Sequence, residues 1–438
     1  MEKIDVAIVG GGILGSCFGY WLSSLYDGKI AVLEMEQEVA HHTSGRNTGV
    51  IHRPFYLNPE KRKIFARSAQ ISYRLWKEYA ALRNLPWKEI GTIEVAPTLA
   101  ELPVIEKYLK WAKENGMTSQ EVEFLSAEGV KKIEPEIECA GALYCKSDTS
   151  VDYKIFAQSI QKEAQSLGAQ FLFGFKVKEI RVQGDGLEII PQNSNTSPIK
   201  TRALINCAGG NAVDLAHALK VGEEYTDLHF RGEYWEVDPK VRDRIKTNIY
   251  SVPRHGELPF LDPHWIVRAD GVRQIGPNAV LISGAYCYNG FFTDFHELVG
   301  KIIEKPLKNK LKLLINREFI KLAGEEWKSS VSKKEMLRRI QRFIPFLKLE
   351  HLYQRGVAGI RSSCIDKDGN FIKEAIELEG PFSYHILNYN SPGATGSPAY
   401  TALLAKKLHD KGYLSSLKKK QNPNSFWNFS EMIEHIGN

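Results

Sequence analysis

The opening of the chain constrains its fold more than any other segment. Val6-Ala7-Ile8-Val9 is a continuous apolar run, the pattern of a strand buried on both faces of a parallel sheet. Gly10-Gly11-Gly12-Ile13-Leu14-Gly15 follows with no spacer. The spacing of Leu14, Phe18, Trp21, Leu22 and Leu25 predicts a helix over 14–24, and a second strand over 29–33 ends in Glu34. Each part suits a bound dinucleotide. Gly10 permits the tight turn, Gly12 lets the backbone approach a pyrophosphate, and Gly15 lets helix and strand pack closely. The helix N-terminus offers N–H groups and a positive dipole end to phosphates. Glu34, about twenty residues further on, is placed to accept hydrogen bonds from ribose hydroxyls.

A strand, this glycine pattern, a helix and a spaced acid together define a Rossmann-type unit; the competing reading is a glycine-rich turn that holds nothing. The unit serves FAD and NAD alike. The next segment, His41 to His52, is rich in hydroxyls and glycines and carries Arg46. Thr43, Ser44, Arg46, Asn47 and Thr48 suit a loop running along a long cofactor, from pyrophosphate to flavin; composition alone also fits a polar surface loop. Ala203-Leu204-Ile205-Asn206-Cys207-Ala208-Gly209-Gly210 is another apolar strand ending in small residues. Residues 167–180 read as a helix end followed by two strands.

These segments resemble the D-amino-acid-oxidase-like superfamily of FAD oxidoreductases over most of the chain. Gly141-Ala142-Leu143 with Val151-Asp152 resembles the family's entry into its second FAD-domain segment, and Gly359-Ile360-Arg361 resembles its late strand with a substrate-facing arginine. Within the superfamily the chain is similar to the L-2-hydroxyglutarate dehydrogenase/oxidase group. The similarity lies in Asn47-Thr48-Gly49-Val50-Ile51-His52, in Phe230-Arg231-Gly232-Glu233-Tyr234, in Pro259-Phe260-Leu261-Asp262-Pro263-His264 with Gly276-Pro277-Asn278-Ala279-Val280-Leu281, and in Leu387 to Thr395. The chain departs from the group at Arg53-Pro54 and at Asp262-Pro263. Arg53 is read either as an extra cation for a substrate carboxylate or phosphate, or as a solvent-facing charge.

The resemblance implies an α/β protein, a Rossmann-type FAD-binding domain with an interleaved α+β substrate domain. Residues 1–85, 145–228 and 352–413 are expected in the discontinuous FAD domain and 86–144 and 229–351 in the substrate domain, with strands over 87–95 and 231–237. Residues 298–347 read as lysine-rich helix with a solvated charged face. The tail, 414–438, carries Lys418-Lys419-Lys420 and then Phe426, Trp427 and Phe429. It reads as a strap on the body or as a peripheral membrane contact.

The resemblance also implies roles. Val177 is expected at the adenine and Ala208 and Gly209 beneath the cofactor. Ser391 to Thr395 are expected to start a helix, capped by Asn390 or Ser391, whose N–H groups face the flavin pyrimidine and bring Gly393, Ala394 and Thr395 to the cofactor, Gly393 permitting close approach. A 2-hydroxy acid is expected over the flavin with its C2–H aimed at N5. Arg361 would grip the substrate carboxylate bidentately, and His52 or His264 would act as base. Arg231 and Glu233 read as a buried pair, shaping the pocket or taking part in it. Glycerol-3-phosphate dehydrogenase, amino-acid or amine oxidase, and a non-catalytic flavoprotein are the competing readings.

The remaining composition narrows partners. The net charge of +6 is a mild excess and no basic reading element accompanies it, so nucleic acid is not expected. It suits a small anionic substrate or a solvated lysine-rich exterior. The electron acceptor stays open among oxygen, a quinone and a carrier protein. The six cysteines show no Cys-x-x-Cys spacing, so no zinc or dithiol site is expected. The polar, acidic first residues read as no signal peptide. A cytoplasmic protein, or one peripheral at the inner face of the membrane, is the expectation.

Overall fold

A computed structural model describes residues 2–254, 262–291, 299–301, 304 and 306–437. Pro259, Phe260 and Leu261 of the Pro-Phe-Leu segment, and Leu298 at the start of the lysine-rich stretch, lie outside the described residues.

The first strand forms over Glu2–Val9 and its residues enter two different cores. Val6 and Ile8 face the cluster built on Phe18, Trp21 and Phe156, whereas Ile4, Ala7 and Val9 face the one built on Leu204, Ala212 and Leu387. That two-sided burial is why the run is apolar without alternation. The strand lies between Ile30–Leu33 and Ile199–Asn206, parallel to both. The eight-stranded sheet is extended by Gln170–Leu172 on one side and by Gly186–Pro191 and Val177–Gln183 on the other, with Ser383–Leu387 parallel to Ile199–Asn206. The helices Ile13–Leu25, Tyr153–Ser166 and Gly393–Asp410 cover one face.

A second eight-stranded sheet runs in the order Leu352–Arg355, Trp235–Val237, Arg273–Gly276, His264–Val267, Asn248–Ser251, Thr92–Ala96, Gly141–Cys145, Val122–Ser126. Leu352–Arg355, expected from the sequence in the FAD domain, thus pairs with Trp235–Val237 instead. Expected strands over 87–95 and 231–237 are each broken: Lys88–Glu89 is separate from Thr92–Ala96, and Thr226–Gly232 from Trp235–Val237.

Two three-stranded sheets join these layers. One pairs Thr226–Gly232 with Val280–Ile282 and Gly359–Ile365, and carries Arg361. The other pairs Val50–Ile51 with Thr149–Ser150, which also pairs Lys88–Glu89.

The lysine-rich stretch forms the helices Leu307–Leu314, Arg317–Val331 and Lys333–Ile340. Its charges are not all solvated. Lys310 is buried against Glu304 at 2.6 Å, and Arg339 is buried against Glu326 at 2.9 Å. In the tail, Trp427 is buried among Tyr20, Trp21, Trp76 and Tyr79 and donates from Nε1 to Leu75 O at 3.2 Å. Its aromatic core packs as a strap. Among the described residues no helix is long and apolar enough to cross a membrane. All six cysteines are free thiols.

Candidate active site

A single cavity of about 1740 Å³ reaches from Gly10 and Glu34 to His52, His264 and Arg361. A typical small-ligand pocket spans roughly 300–1,000 Å³, so it has room for a dinucleotide and a substrate together.

At the nucleotide end, Gly10 sits at φ +108° and a Cβ there would come within 2.4 Å of Cys207 O. Only glycine fits such a turn. A Cβ on Gly15 would stand 1.9 Å from Gly10 O, so this glycine serves helix–strand packing rather than the cavity wall. Glu34 is buried, and its two carboxylate oxygens accept from Gly11 N at 2.7 Å and Glu36 N at 2.9 Å. Burial raises its pKa, partly countered by those N–H groups. Each oxygen keeps a further lone pair toward the cavity that Glu34 lines.

The 41–52 loop is held by bonds within itself and to the neighbouring Ile13 and Ile360. Ser44 Oγ accepts from Ile13 N at 3.0 Å, Thr43 Oγ1 donates to Ile360 O at 2.9 Å, and Arg46 Nε donates to His41 O at 3.0 Å. Asn47 bridges Ser44 O and Gly49 N, both at 2.9 Å. Thr43, Ser44, Arg46, Asn47, Thr48, Val177, Ala208, Gly209, Ala394 and Thr395 all line the cavity.

Gly393 does not line it. A Cβ there would meet the Tyr389 ring at 2.9 Å, so this glycine admits Tyr389 rather than a ligand. Nor do Asn390 or Ser391 cap the helix: it begins after Pro392 with no side-chain cap. Asn390 Nδ2 instead donates to Ser362 O at 2.8 Å and ties this loop to the Arg361 strand.

The two histidines are placed very differently. His52 follows Ile51, which pairs antiparallel with Thr149; the next position across that ladder is Asp148. His52 Nδ1 accordingly donates to Asp148 Oδ2 at 2.9 Å. Asp148 is fully buried and also accepts from Arg53 N at 2.7 Å and Thr92 Oγ1 at 2.8 Å. A carboxylate at Nδ1 selects the tautomer that leaves Nε2 as acceptor, and Nε2 stands 3.5 Å from the Tyr250 hydroxyl. His264 lies flat against Tyr250, and burial pushes its pKa down to about 3. It is neutral at physiological pH.

Arg53 is neither a substrate ligand nor solvent-facing. It is buried, pairs with Glu121 at 2.6 Å, donates to Ser147 and Gln70, and lies over the Tyr73 ring. The sequence argument that it welcomes a phosphate therefore falls away. At the other departure, burial works against the charge of Asp262, but Arg254 and Arg339 outweigh it and hold its pKa low. Arg231 and Glu233 pair at 2.7 Å, with Asn278 holding Glu233, and neither is on the cavity wall. Arg361 is on that wall, its pKa lowered by burial. Asp148, Tyr250 and Glu94 escaped the sequence reading, and no motif marks them.

The fold and the cavity define a dinucleotide-dependent oxidoreductase. The family of FAD dependent oxidoreductases matches residues 5–407, and the chain belongs to it. It is an enzyme, and FAD is its cofactor; the positive-φ Gly10 turn, the helix N-terminus and Glu34 fit that group. The chain is 30% identical to L-2-hydroxyglutarate dehydrogenase, mitochondrial, of Mus musculus, covering 92% of this chain and 88% of that protein. It is 31% identical to L-2-hydroxyglutarate dehydrogenase of Salmonella houtenae, covering 92% and 93%. Its fold is similar to that of L-alpha-glycerophosphate oxidase from Mycoplasma pneumoniae, with a TM-score of 0.74 at 23% identity over 98% of this chain and 99% of the other.

Proposed function

We propose that the chain oxidises a small 2-hydroxy acid of the L-2-hydroxyglutarate kind to the 2-oxo acid. The observation that carries this reading is that His52, held by Asp148, lines the same cavity as Arg361. Bound FAD supplies the two-electron acceptor for the hydrogen lost from C2. His52 Nε2 takes the hydroxyl proton as the C2–O bond becomes a carbonyl, and Asp148 stabilises the imidazolium that forms. Arg361 holds the 1-carboxylate through paired N–H groups. Thr395, in the first turn of the Gly393–Asp410 helix, accepts from His52 N at 3.2 Å and fixes the backbone of the base. The likeness to L-2-hydroxyglutarate dehydrogenases supports the substrate class.

The test is anaerobic addition of L-2-hydroxyglutarate, glycerol 3-phosphate, L-lactate, L-malate and amino acids to the yellow holoenzyme. Rapid bleaching of the flavin band by L-2-hydroxyglutarate alone is expected. Bleaching by another compound, or by none, overturns the substrate. Readmitting air, a quinone or a carrier protein then identifies the acceptor. Co-sedimentation with anionic vesicles tests whether Lys418–Lys420 add a peripheral membrane contact.

A further inference from the structure

The strands Thr92–Ala96 and Asn248–Ser251 run parallel, with Glu94 opposite Tyr250. Thr92 and Glu94 point to the same face because alternate strand residues do, and Thr92 holds Asp148 there. Glu94 is only 7% exposed, yet it lines the cavity that contains His52 and Arg361. Among the described residues its carboxyl makes no hydrogen bond or ion pair. Buried polar groups are almost always satisfied, so an unpartnered carboxyl aimed into a substrate cavity points to a ligand.

We propose that Glu94 determines specificity, its carboxyl sharing a proton with the distal carboxylate of a dicarboxylic substrate held at its other end by Arg361. The inference rests on the 2-hydroxy-acid reading above and names what the far end of that substrate must be. The groups facing Glu94 are Asp148, Tyr250 from the neighbouring strand, Tyr56, and Tyr108 from the helix Leu102–Glu114. Leu143, its partner on the other neighbouring strand, is apolar. Of the three lysines on that helix, Lys107 lines the cavity and lies over the Tyr108 and Trp111 rings. Burial, and then the charge of Asp148, push the Glu94 pKa up to about 8. The group therefore carries a proton at neutral pH and donates it. A dianionic ligand brings more negative charge and tightens that hold.

The test titrates the visible flavin spectrum of the holoenzyme with glutarate, pentanoate and 5-aminopentanoate, none of which has a hydroxyl to oxidise. Glutarate is expected to bind about tenfold more tightly than pentanoate, the worth of one charge-assisted hydrogen bond. That advantage is expected to decay as the pH rises past about 8. Glu94→Gln is expected to keep most of the preference, since the amide still donates, and to lose its pH dependence. Glu94→Leu is expected to abolish the preference. Equal binding of glutarate and pentanoate by the unsubstituted enzyme, a preference that persists in Glu94→Leu or keeps its pH decay in Glu94→Gln, or tighter binding of 5-aminopentanoate than glutarate would each overturn the proposal. If glutarate selectivity follows Glu94 while L-2-hydroxyglutarate leaves the flavin oxidised, the reaction fails and Glu94 keeps its role. Bleaching by L-2-hydroxyglutarate without any role for Glu94 is the opposite failure.

Discussion

Tyr250 and His264 lie face to face, ring centroids 3.9 Å apart and planes inclined by 20°. The stack shields an imidazole whose pKa burial has taken from 6.5 to about 3. A pKa lowered on folding gives stability that is complete above the unfolded value, about 6.5, and is lost as the pH falls toward 3. Between about pH 6.5 and 5 the loss from this group is roughly 2 kcal/mol. Urea midpoints across that window are expected to fall less for His264→Phe than for the unsubstituted protein.

Asp148 serves His52, Arg53 N and Thr92 at once. Asp148→Asn keeps its size but removes the charge that stabilises an imidazolium. Anaerobic stopped-flow reduction is expected to slow by about 10²–10⁴-fold, the range for loss of an acid–base group or its orienting carboxylate. An unchanged rate would remove His52 from the role of base.

Gly10 and Gly12 separate fold from cofactor. Gly10→Ala places a Cβ 2.4 Å from Cys207 O at a positive φ, so it is expected to lower the unfolding midpoint as well as the flavin content. Gly12→Ala meets only Ser44 Oγ, at 3.0 Å. It is expected to fold normally and to bind FAD at least about tenfold more weakly, through the lost close approach. The ratio of flavin to protein absorbance after gel filtration, beside a thermal melt, reads both.

Trp427 tests the tail. Its truncation to Ala empties a site walled by five other aromatic rings, and about 3–5 kcal/mol of stability is expected to go with it. Equilibrium urea unfolding measures that directly. A change below about 1 kcal/mol would mean that the strap is not part of the core.

The nucleotide end of the site was legible because its signals are local: a glycine pattern between strand and helix, and an acid at a set distance. The substrate end was not. His52 was visible through a resemblance, but Asp148 meets it from 96 residues away, through a pairing of two-residue strands that no periodicity announces. Glu94 looks like any charged strand residue until the neighbouring strand turns it inward. Arg53 was misjudged for the converse reason. An arginine beside a candidate base suggests a ligand, and only the fold reveals that Glu121 and Tyr73 already occupy it. The helix cap expected at Asn390 is the same lesson on a smaller scale: the helix begins only after Pro392, and the Asn390 side chain is turned to Ser362 O.

The sheet that begins with Glu2–Val9 receives its strand Ser383–Leu387 only near the other end of the chain, and Trp427 closes the aromatic cluster later still. During synthesis the glycine turn emerges well before the segments that complete its cavity. Stable loading of FAD therefore needs segments from widely separated parts of the polypeptide, and a chain truncated before Ser383 is expected to carry the whole glycine motif and hold no flavin.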